Sequence, residues 1–174
     1  MKNSWFAIEG GPSSGKTTTI EILKNRGFKT VDESARQYYQ SQINAGVTNE
    51  EIRQNPQKLQ DSIAQMQIDI EAKLDPEETI FFDSGIPHVA AYYDFYGIET
   101  PDFVKEAVEK CYYKKIFFLE RLPMIKDDIR SESDQEAQKI SDLIFATYSK
   151  LPLEIIKVLV MSPEERVKFI LSLV

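Results

Sequence analysis

Residues 5–27 read WFAIEGGPSSGKTTTIEILKNRG, and this stretch decides the fold of the chain. Its first part, WFAIEG, is a short apolar run that fits a buried strand, and its last part, KTTTIEILKNRG, fits a helix. A glycine-rich turn joins the two. A strand that leaves through such a turn into a helix is typical of the first unit of an α/β domain.

Further apolar runs outside this stretch predict the rest of the sheet. They cover residues 80–82, 116–119 and 155–161, with a weaker candidate at 28–31. Each run is short and apolar on both faces, as buried parallel strands are. Because long helix-like segments separate the runs, we predict one doubly wound α/β domain over residues 1–174, with helices on both faces of a parallel sheet.

Local signals mark where several helices begin and end. Asn55-Pro56 predicts a helix start, and Asp75-Pro76 predicts the end of that helix, because a residue before proline avoids helical angles. Thr48 and Ser162 each precede a glutamate by three positions, which is the spacing of a capping box. The helix that begins at Asn55-Pro56 carries one apolar stripe, formed by Leu59, Ile63, Met66, Ile70 and Leu74.

The 174 residues are 42% hydrophobic and 28% charged, an ordinary composition for a folded globular protein. Lys and Arg number 21 and Asp and Glu 28, which gives a net charge of −7. Nucleic acids bind cationic surfaces, so this charge argues against a nucleic-acid polymer as the main partner. No apolar run is long enough for a signal peptide or a membrane span, and we therefore expect a cytoplasmic protein without membrane attachment.

The chain has one cysteine, Cys111, and one histidine, His88. These counts argue against a disulfide framework, a structural zinc site and a Ser-His-Asp hydrolase. Cys111 lies at helical spacing from Val104 and Val108, which predicts a core position on a helix. Any catalysis then depends on carboxylates, lysine, arginine and hydroxyl groups.

The turn at residues 10–17 matches the pattern G-x-x-x-x-G-K-[ST] of a phosphate-binding loop at every fixed position. Its glycines let consecutive amides point at phosphate oxygens, and the following helix adds the positive end of its dipole. Lys16 supplies a cation for the terminal phosphates, and the Thr17 hydroxyl supplies a ligand for Mg²⁺. The predicted nucleotide-binding residues are Gly10, Gly11, Pro12, Ser13, Ser14, Gly15, Lys16, Thr17 and Thr18.

Open α/β sheets bind ligands beyond the carboxyl ends of their strands, so acidic residues that follow strands are candidates for the site. Asp83 follows the run at 80–82 and is predicted to hold Mg²⁺ or to accept a proton from an attacking hydroxyl. Glu33 and Arg36 follow the weak run and are predicted to offer a carboxylate for a substrate hydroxyl and a cation for a second anion. The simpler alternatives are a turn cap for Asp83, a helix-terminal acid for Glu33 and a solvated arginine.

Two arginines lie in the polar segment after the run at 116–119, which is predicted to be a mobile loop leading into a helix. A loop that closes over a nucleotide brings arginine to the transferring phosphoryl group, where its planar donors stabilise spread-out charge. Arg130 is the candidate for this catalytic role, and Arg121 is a candidate for substrate binding. Arginines are also common on ordinary protein surfaces.

Two large classes of nucleotide protein need features that are absent. A GTPase is expected to carry an Asn-Lys-x-Asp segment for the base, and none occurs. The architecture of AAA+ motors normally needs a longer chain. The size of this chain suits a small kinase fold.

Five segments together resemble small single-domain P-loop NTPases of the AAA-domain or predicted-ATPase family: IEGGPSSGKTT, VDESAR, FFDSGIPHVAAYYDFYG, KIFFLERLPMIKDDIRSES and SPEERVKFIL. This family is related to nicotinamide riboside kinase and, more distantly, to thymidylate and deoxynucleoside kinases. The resemblance implies a three-layer α/β/α fold with a five-stranded parallel sheet of order 2-3-1-4-5. It also implies that Asp83 and Glu33 lie on strands next to the site of the P-loop strand.

The chain departs from these relatives after its third predicted strand. Where they often carry Asp-Arg-Gly, this sequence has Asp83-Ser84-Gly85, and where they often have a second aspartate it has His88. The loss of that arginine removes one contact for an anion or a substrate. The candidates to replace it are Arg36, Arg121 and Arg130.

The sequence therefore predicts an ATP- and Mg²⁺-dependent phosphotransferase that acts on a small nucleoside- or nucleotide-like acceptor. The catalytic candidates are Lys16, Asp83, Glu33 and Arg130, the metal ligands are Thr17 and Asp83, and the substrate-binding candidates are Glu33, Arg36 and Arg121. One alternative is an ATPase whose hydrolysis drives a conformational switch for a protein partner. Another is a nucleotide-binding sensor without catalysis, which Ser84 in place of arginine suggests.

Overall fold

The computed structural model describes residues 4–122 and 133–174. It contains a five-stranded parallel sheet of order β2-β3-β1-β4-β5, which confirms the predicted fold class and strand order. The strands are β1 Trp5–Glu9, β2 Lys29–Val31, β3 Ile80–Asp83, β4 Tyr113–Leu119 and β5 Glu154–Val158.

Eight helices connect the strands in the described part of the chain. They are α1 Lys16–Asn25, α2 Ser34–Asn44, α3 Asn49–Arg53, α4 Pro56–Glu71, α5 Ile86–Tyr96, α6 Asp102–Glu109, α7 Asp134–Ser149 and α8 Pro163–Leu171. The capping boxes at Thr48 and Ser162 are present, and Asn55 caps α4 by accepting from the amide of Lys58 over 3.0 Å. No helix of the described segments has the length and apolarity that crossing a membrane requires.

The sheet is covered on both faces, because alternate residues of each strand point to opposite sides. On one face Trp5 and Ala7 of β1 pack with residues of α5 and α7, among them Ile144. On the other face Phe6 and Ile8 pack with α1 and α8. Every residue of β1 is buried, so the strand that carries the glycine-rich turn is the centre of the core.

A third apolar cluster lies among the helices α3 to α6 rather than on the sheet. It includes Leu59 and Ile63 of α4, Val89 and Tyr93 of α5, and Val104 of α6, all of them buried. The helices that follow β2 and β3 therefore form one packed body beside the carboxyl edge of the sheet.

Three local predictions were wrong. The last apolar run leaves the sheet at Val158, because that residue pairs with Leu119, the last residue of β4, and no partner strand remains. Helix α4 ends at Glu71 rather than at Asp75-Pro76, since the next amides bond three residues back, from Lys73 to Ile70 and from Leu74 to Glu71. Cys111 follows α6 instead of belonging to it, although it does pack partly buried against the core.

Candidate functional site

Residues 10–15 form a tight loop between β1 and α1. Gly10 has φ 143°, and a Cβ there would lie 2.6 Å from the carbonyl oxygen of Leu119 and 2.7 Å from Oγ of Ser14. Gly15 has φ 87° and is the residue that precedes α1. Both positions need glycine, so the structure gives the two fixed glycines of the motif a conformational reason.

Lys16 is the first residue of α1 and lies over the loop. Its ammonium group donates hydrogen bonds to the carbonyls of Gly10 over 2.8 Å and of Gly11 over 3.2 Å. Thr17 is the next residue of α1, and Thr18, which follows it, is exposed. The cation is therefore held at the mouth of the loop, where phosphate oxygens could replace the carbonyls as its partners.

Asp83 ends β3 directly beside the loop, because β3 pairs with β1 in a register that sets Asp83 against Ile8. Its Oδ2 accepts a hydrogen bond from the Thr17 hydroxyl over 3.0 Å. The residue is 3% exposed, and its Oδ1 has no hydrogen-bond partner among the described residues. The structure thus brings together the two residues that were predicted to hold a metal.

Burial raises the pKa of Asp83 to about 6. This value already includes a smaller increase from the negative charge of Glu33 and decreases from Lys16 and from the Thr17 hydrogen bond. A buried carboxylate with one bare oxygen and a raised pKa is poorly satisfied by the protein alone. A ligand that brings positive charge to Asp83 would stabilise its ionised form.

These residues fit Mg²⁺. The Thr17 hydroxyl and the Asp83 carboxylate are hard oxygen donors, and the bare Oδ1 of Asp83 is free to accept a metal ion or a metal-bound water. Among the residues described, no group of three or more His, Cys, Asp and Glu side chains could hold an ion. A site with one hydroxyl and one carboxylate suits Mg²⁺, which takes one or two protein oxygens and completes its shell with phosphate and water.

Glu33 directly precedes α2 and does not cap it, because its side chain makes no hydrogen bond to the first amides of the helix. The side chain is 26% exposed and close enough to Asp83 to raise the pKa of that carboxyl. Arg36 lies one helical turn further on, with its Nε 3.9 Å from Glu33 Oε2 and most of its side chain exposed. Glu33 therefore lies near Asp83, with the more exposed Arg36 beside it, and their roles toward a substrate stay predictions.

Arg121 follows β4 and is anchored rather than free. It donates to the carbonyl of Pro12 over 3.3 Å, and its Nη2 lies 2.6 Å from Oδ1 of Asp134 at the start of α7. It also donates to Gln138 over 3.1 Å. The residue therefore ties the loop backbone to α7. Arg130, the predicted catalytic arginine, lies outside the described residues.

The architecture and the loop together invite comparison with known families. Residues 5–166 match the sequence model of the AAA domain family. This chain belongs to that family. The resemblance that the sequence segments carry is thereby confirmed. A comparison with curated proteins finds no match.

Solved structures of nucleotide kinases share the fold of this AAA domain. Thymidylate kinase from Ehrlichia chaffeensis superposes with a TM-score of 0.68 at 14% identity, over 97% of each chain. Deoxyadenosine kinase from M. mycoides with bound dATP gives 0.61 at 17% identity, again over 97% of each chain. NadR in complex with NAD and AMP-PNP gives 0.65 at 14% identity, over 89% of this chain and 44% of that one. At these identities the likeness establishes the fold.

Sequence reasoning missed Glu9, which precedes the first glycine of the AAA-domain loop. Its carboxylate is 0% exposed and accepts from the amide of Gly85 over 2.8 Å and from the Tyr148 hydroxyl over 2.5 Å. Its other oxygen lies 2.8 Å from Nδ1 of His88. Glu9 therefore joins the P-loop strand to the turn after Asp83 and to α5 and α7. An acid at the end of an otherwise apolar run was the signal that could have revealed it.

The turn after Asp83 is held from a second side by Tyr113. Its hydroxyl accepts from the amide of Ile86 over 3.1 Å and donates to Oε1 of Glu71 over 2.5 Å. A Cβ on Gly85 would lie 2.2 Å from that hydroxyl, so the turn leaves no room for a side chain at this position. Burial raises the pKa of Glu71, and burial with the Glu71 charge raises that of Tyr113.

Ser84 stands where the family resemblance leads us to expect arginine. It has φ 71°, a left-handed conformation that serine adopts at a cost, and its buried hydroxyl has no partner among the described residues. Strained backbone conformations and buried polar groups without a partner are typically found at functional sites.

Arg166 is a second buried charged residue that sequence reasoning missed. It lies on the inner face of α8, four positions before the buried Ile170, and its guanidinium contacts the loop carbonyl of Ser14. The signal was its position on the apolar stripe of that helix, where an arginine is unusual.

Proposed function

We propose that this AAA domain is a phosphotransferase that moves the terminal phosphoryl group of ATP, with Mg²⁺, to a hydroxyl of a small nucleoside- or nucleotide-like acceptor. The observation that carries the proposal is the Thr17–Asp83 pair beside the loop, with Glu33 close to the same carboxylate. Lys16, a hydroxyl and two carboxylates are the groups that phosphoryl transfer on a P-loop uses.

The loop side of the site binds the ATP phosphates. Backbone amides of residues 10–15, apart from Pro12, which has no N–H, and the amino end of α1 donate to phosphate oxygens. Lys16 exchanges the carbonyls of Gly10 and Gly11 for the terminal phosphates. Because Arg121 and Arg166 already hold the loop backbone at Pro12 and Ser14, these donors need little reorganisation during the reaction.

Thr17 and Asp83 would hold Mg²⁺, directly or through water. When bound, Mg²⁺ neutralises the charge that develops on the phosphate oxygens. Asp83 is then ionised, since a neighbouring cation offsets the burial that otherwise raises its pKa. Its hydrogen bond with Thr17 fixes the orientation of both side chains.

Glu33 serves the acceptor. Its carboxylate accepts a hydrogen bond from the acceptor hydroxyl and takes the proton as the oxygen attacks the terminal phosphorus. The bond from that phosphorus to the bridging oxygen breaks, and ADP leaves with the electron pair. Arg36, Arg121 and Arg130 are the proposed cations for the substrate and the transferring group, with Arg130 in the catalytic role.

The structural neighbours support the acceptor class. They include a thymidylate kinase and a deoxyadenosine kinase, whose names point to a nucleotide or a nucleoside as the acceptor. The same fold at full coverage is consistent with an acceptor of this size.

The test begins with a thermal-shift screen of nucleotides and nucleosides with Mg²⁺, followed by an assay of ADP release with each hit. We expect one acceptor to raise ADP release well above the rate with ATP alone, and Asp83→Asn and Glu33→Gln each to lower it by tenfold or more. Asp142→Asn, an exposed carboxylate on α7, is the matched control.

Three results would contradict the proposal. Asp83→Asn with unchanged turnover and Mg²⁺ dependence would remove the metal assignment. Steady hydrolysis that no acceptor increases would favour an ATPase that acts on a protein partner. Tight ATP binding with no phosphate release under any condition would favour a sensor without catalysis.

A further inference from the structure

Arg166 is a buried cation directly beneath the phosphate-binding loop. The residue is 2% exposed, and its guanidinium donates hydrogen bonds to three backbone carbonyls. They are those of Ser14, of Glu120 over 3.0 Å and of Leu159 over 3.2 Å. The first lies in the loop, and the others directly follow β4 and β5. One side chain therefore joins three segments at the carboxyl edge of the sheet.

No carboxylate of the described residues pairs with Arg166 within ion-pair distance. Within residues 4–122 and 133–174 it forms no ion pair, and Glu120 is the acid that acts on it electrostatically. Burial lowers the pKa of the guanidinium and outweighs the opposite effect of Glu120, yet arginine stays protonated in proteins. A buried and unpaired charge is costly, so its retention needs a compensating interaction.

The position of the guanidinium indicates which interaction compensates for the burial of its charge. A Cβ on Gly15 would lie 3.2 Å from Nη1 of Arg166, so the charge lies against the backbone at the residue that precedes α1. The amides of this stretch are those that face a phosphate group in a P-loop. With the carbonyl of Ser14 held on the guanidinium side, the amide of Gly15, which is anti to that carbonyl across the trans peptide bond, points away from the guanidinium.

We propose that Arg166 is a positioning residue for polyphosphate: it fixes the loop backbone through Ser14 and adds its positive charge to the field in which the phosphates bind. The inference rests on the proposed function for the identity of the ligand. It adds a cation from the far end of the chain that the phosphate-binding motif at residues 10–17 does not contain. The occupant is an anion with several charges, such as a triphosphate.

The two parts of the role have different signatures. Loss of the positive charge weakens binding more for anions of higher charge, because the Coulomb energy is proportional to that charge. Loss of the three carbonyl contacts displaces the loop and weakens binding of all anions by a similar factor. A residue that only stabilised the fold would show neither signature once the variant was folded.

The experiment uses titration calorimetry of the full chain with inorganic phosphate, pyrophosphate and tripolyphosphate, in buffer with EDTA. Arg166→Gln removes the charge and keeps an amide donor. We expect its loss of affinity to grow along the series and to exceed about tenfold for tripolyphosphate, because the Coulomb energy of a unit charge beside the loop increases with the charge of the anion. Arg166→Lys keeps the charge without the planar fork, and we expect a similar loss for all three anions.

Lys168→Gln is the matched control, because it removes the same charge from an exposed position of the same helix. We expect its affinities to stay within about twofold of the parent chain, since exposed charges are strongly screened. Thermal denaturation verifies that each variant is folded. If Arg166→Gln does not fold, Arg166→Lys carries the test, and unchanged affinities in that variant would overturn the proposal.

Equal losses for the three anions in Arg166→Gln would also overturn the electrostatic part. Failure of this inference can be distinguished from failure of the proposed function. If binding of tripolyphosphate depends on Arg166 but the chain transfers no phosphoryl group, this inference stands and the proposed function is wrong. If the chain transfers phosphoryl groups but the Arg166 variants bind the three anions as tightly as the parent chain, only this inference is wrong. If the chain binds no polyphosphate, both this inference and the proposed function are wrong.

Discussion

The hydroxyl of Thr17 donates a hydrogen bond of 3.0 Å to the carboxylate of Asp83, which lies 66 residues further along the chain. The contact exists because β3 pairs directly with β1, and the register sets Asp83 level with Ile8, just before the loop. A second tie from Glu9 to Gly85 holds the same two segments together behind the site. The pairing of β1 with β3 therefore sets the relative position of the two residues proposed to hold the metal.

Replacing Asp83 by asparagine should stabilise the metal-free protein, and more so at higher pH. The folded-state pKa of about 6 lies above the ordinary value of 3.8, so the folded chain retains a proton that the unfolded chain has released. The contribution of this proton to the free energy of unfolding is fully present below about pH 4 and is lost as the pH rises through 6. At about 1.4 kcal/mol per pKa unit, the advantage of Asp83→Asn should grow by roughly 3 kcal/mol across this window.

The measurement is urea unfolding of both chains in EDTA between pH 4 and pH 8. Asparagine still accepts the Thr17 hydrogen bond, so the comparison isolates the charge. Asp142→Asn controls for the change in net charge at an exposed site. A stability difference that stays constant with pH would show that burial does not perturb this carboxyl in the folded state.

Ser84→Gly should also raise the stability of the ligand-free protein. Glycine relieves the left-handed backbone conformation, which costs other residues about 1–2 kcal/mol, and removes a buried hydroxyl without a partner, which costs about 1–3 kcal/mol. The greater freedom of glycine in the unfolded chain offsets about 0.5–1 kcal/mol of this gain. Calorimetry should show a melting temperature a few degrees higher.

Ser84→Ala is the companion variant, because it removes the hydroxyl and keeps the backbone strain. We expect its stability to fall between those of the parent chain and Ser84→Gly. A melting temperature for Ser84→Gly below that of Ser84→Ala would refute the strain that is assigned to this residue.

Loss of the Glu9 network should destabilise the fold strongly. Glu9→Ala leaves His88, Tyr148 and the Gly85 amide without their shared partner, and we expect a cost of about 3–5 kcal/mol. Tyr148→Phe removes one hydrogen bond to the buried carboxylate and should cost about 2 kcal/mol.

Denaturant unfolding of these chains and of the double variant measures the coupling. The two losses should not add, because both act on the same buried carboxylate. Additive effects would show that Tyr148 stabilises the protein by packing alone.

Gly85→Ala should destabilise the protein through steric overlap. A Cβ there would lie 2.2 Å from the Tyr113 hydroxyl, and we expect a cost of about 2 kcal/mol or more, measured by thermal unfolding. Gly46→Ala separates overlap from backbone strain, since Gly46 has φ 87° but open space around it. A smaller effect at Gly85 than at Gly46 would disprove the overlap.

Local rules were enough to predict several parts of this protein from its sequence. The strand, turn and helix of residues 5–27 and the capping boxes at Thr48 and Ser162 could be predicted, because apolar periodicity and cap spacing act over a few residues. The phosphate-binding loop belongs to this group, since the spacing of Gly10, Gly15 and Lys16 is itself local.

The tertiary structure decided which distant groups meet. Arg166 contacts Ser14 across 152 positions of the chain, and Tyr148 contacts Glu9 across 139. No local pattern encodes such contacts, because they depend on the order and register of the strands and on how α7 and α8 pack. The charged residues on apolar stripes were visible in the sequence, but only the packed sheet and helices supply the partners that make their burial favourable.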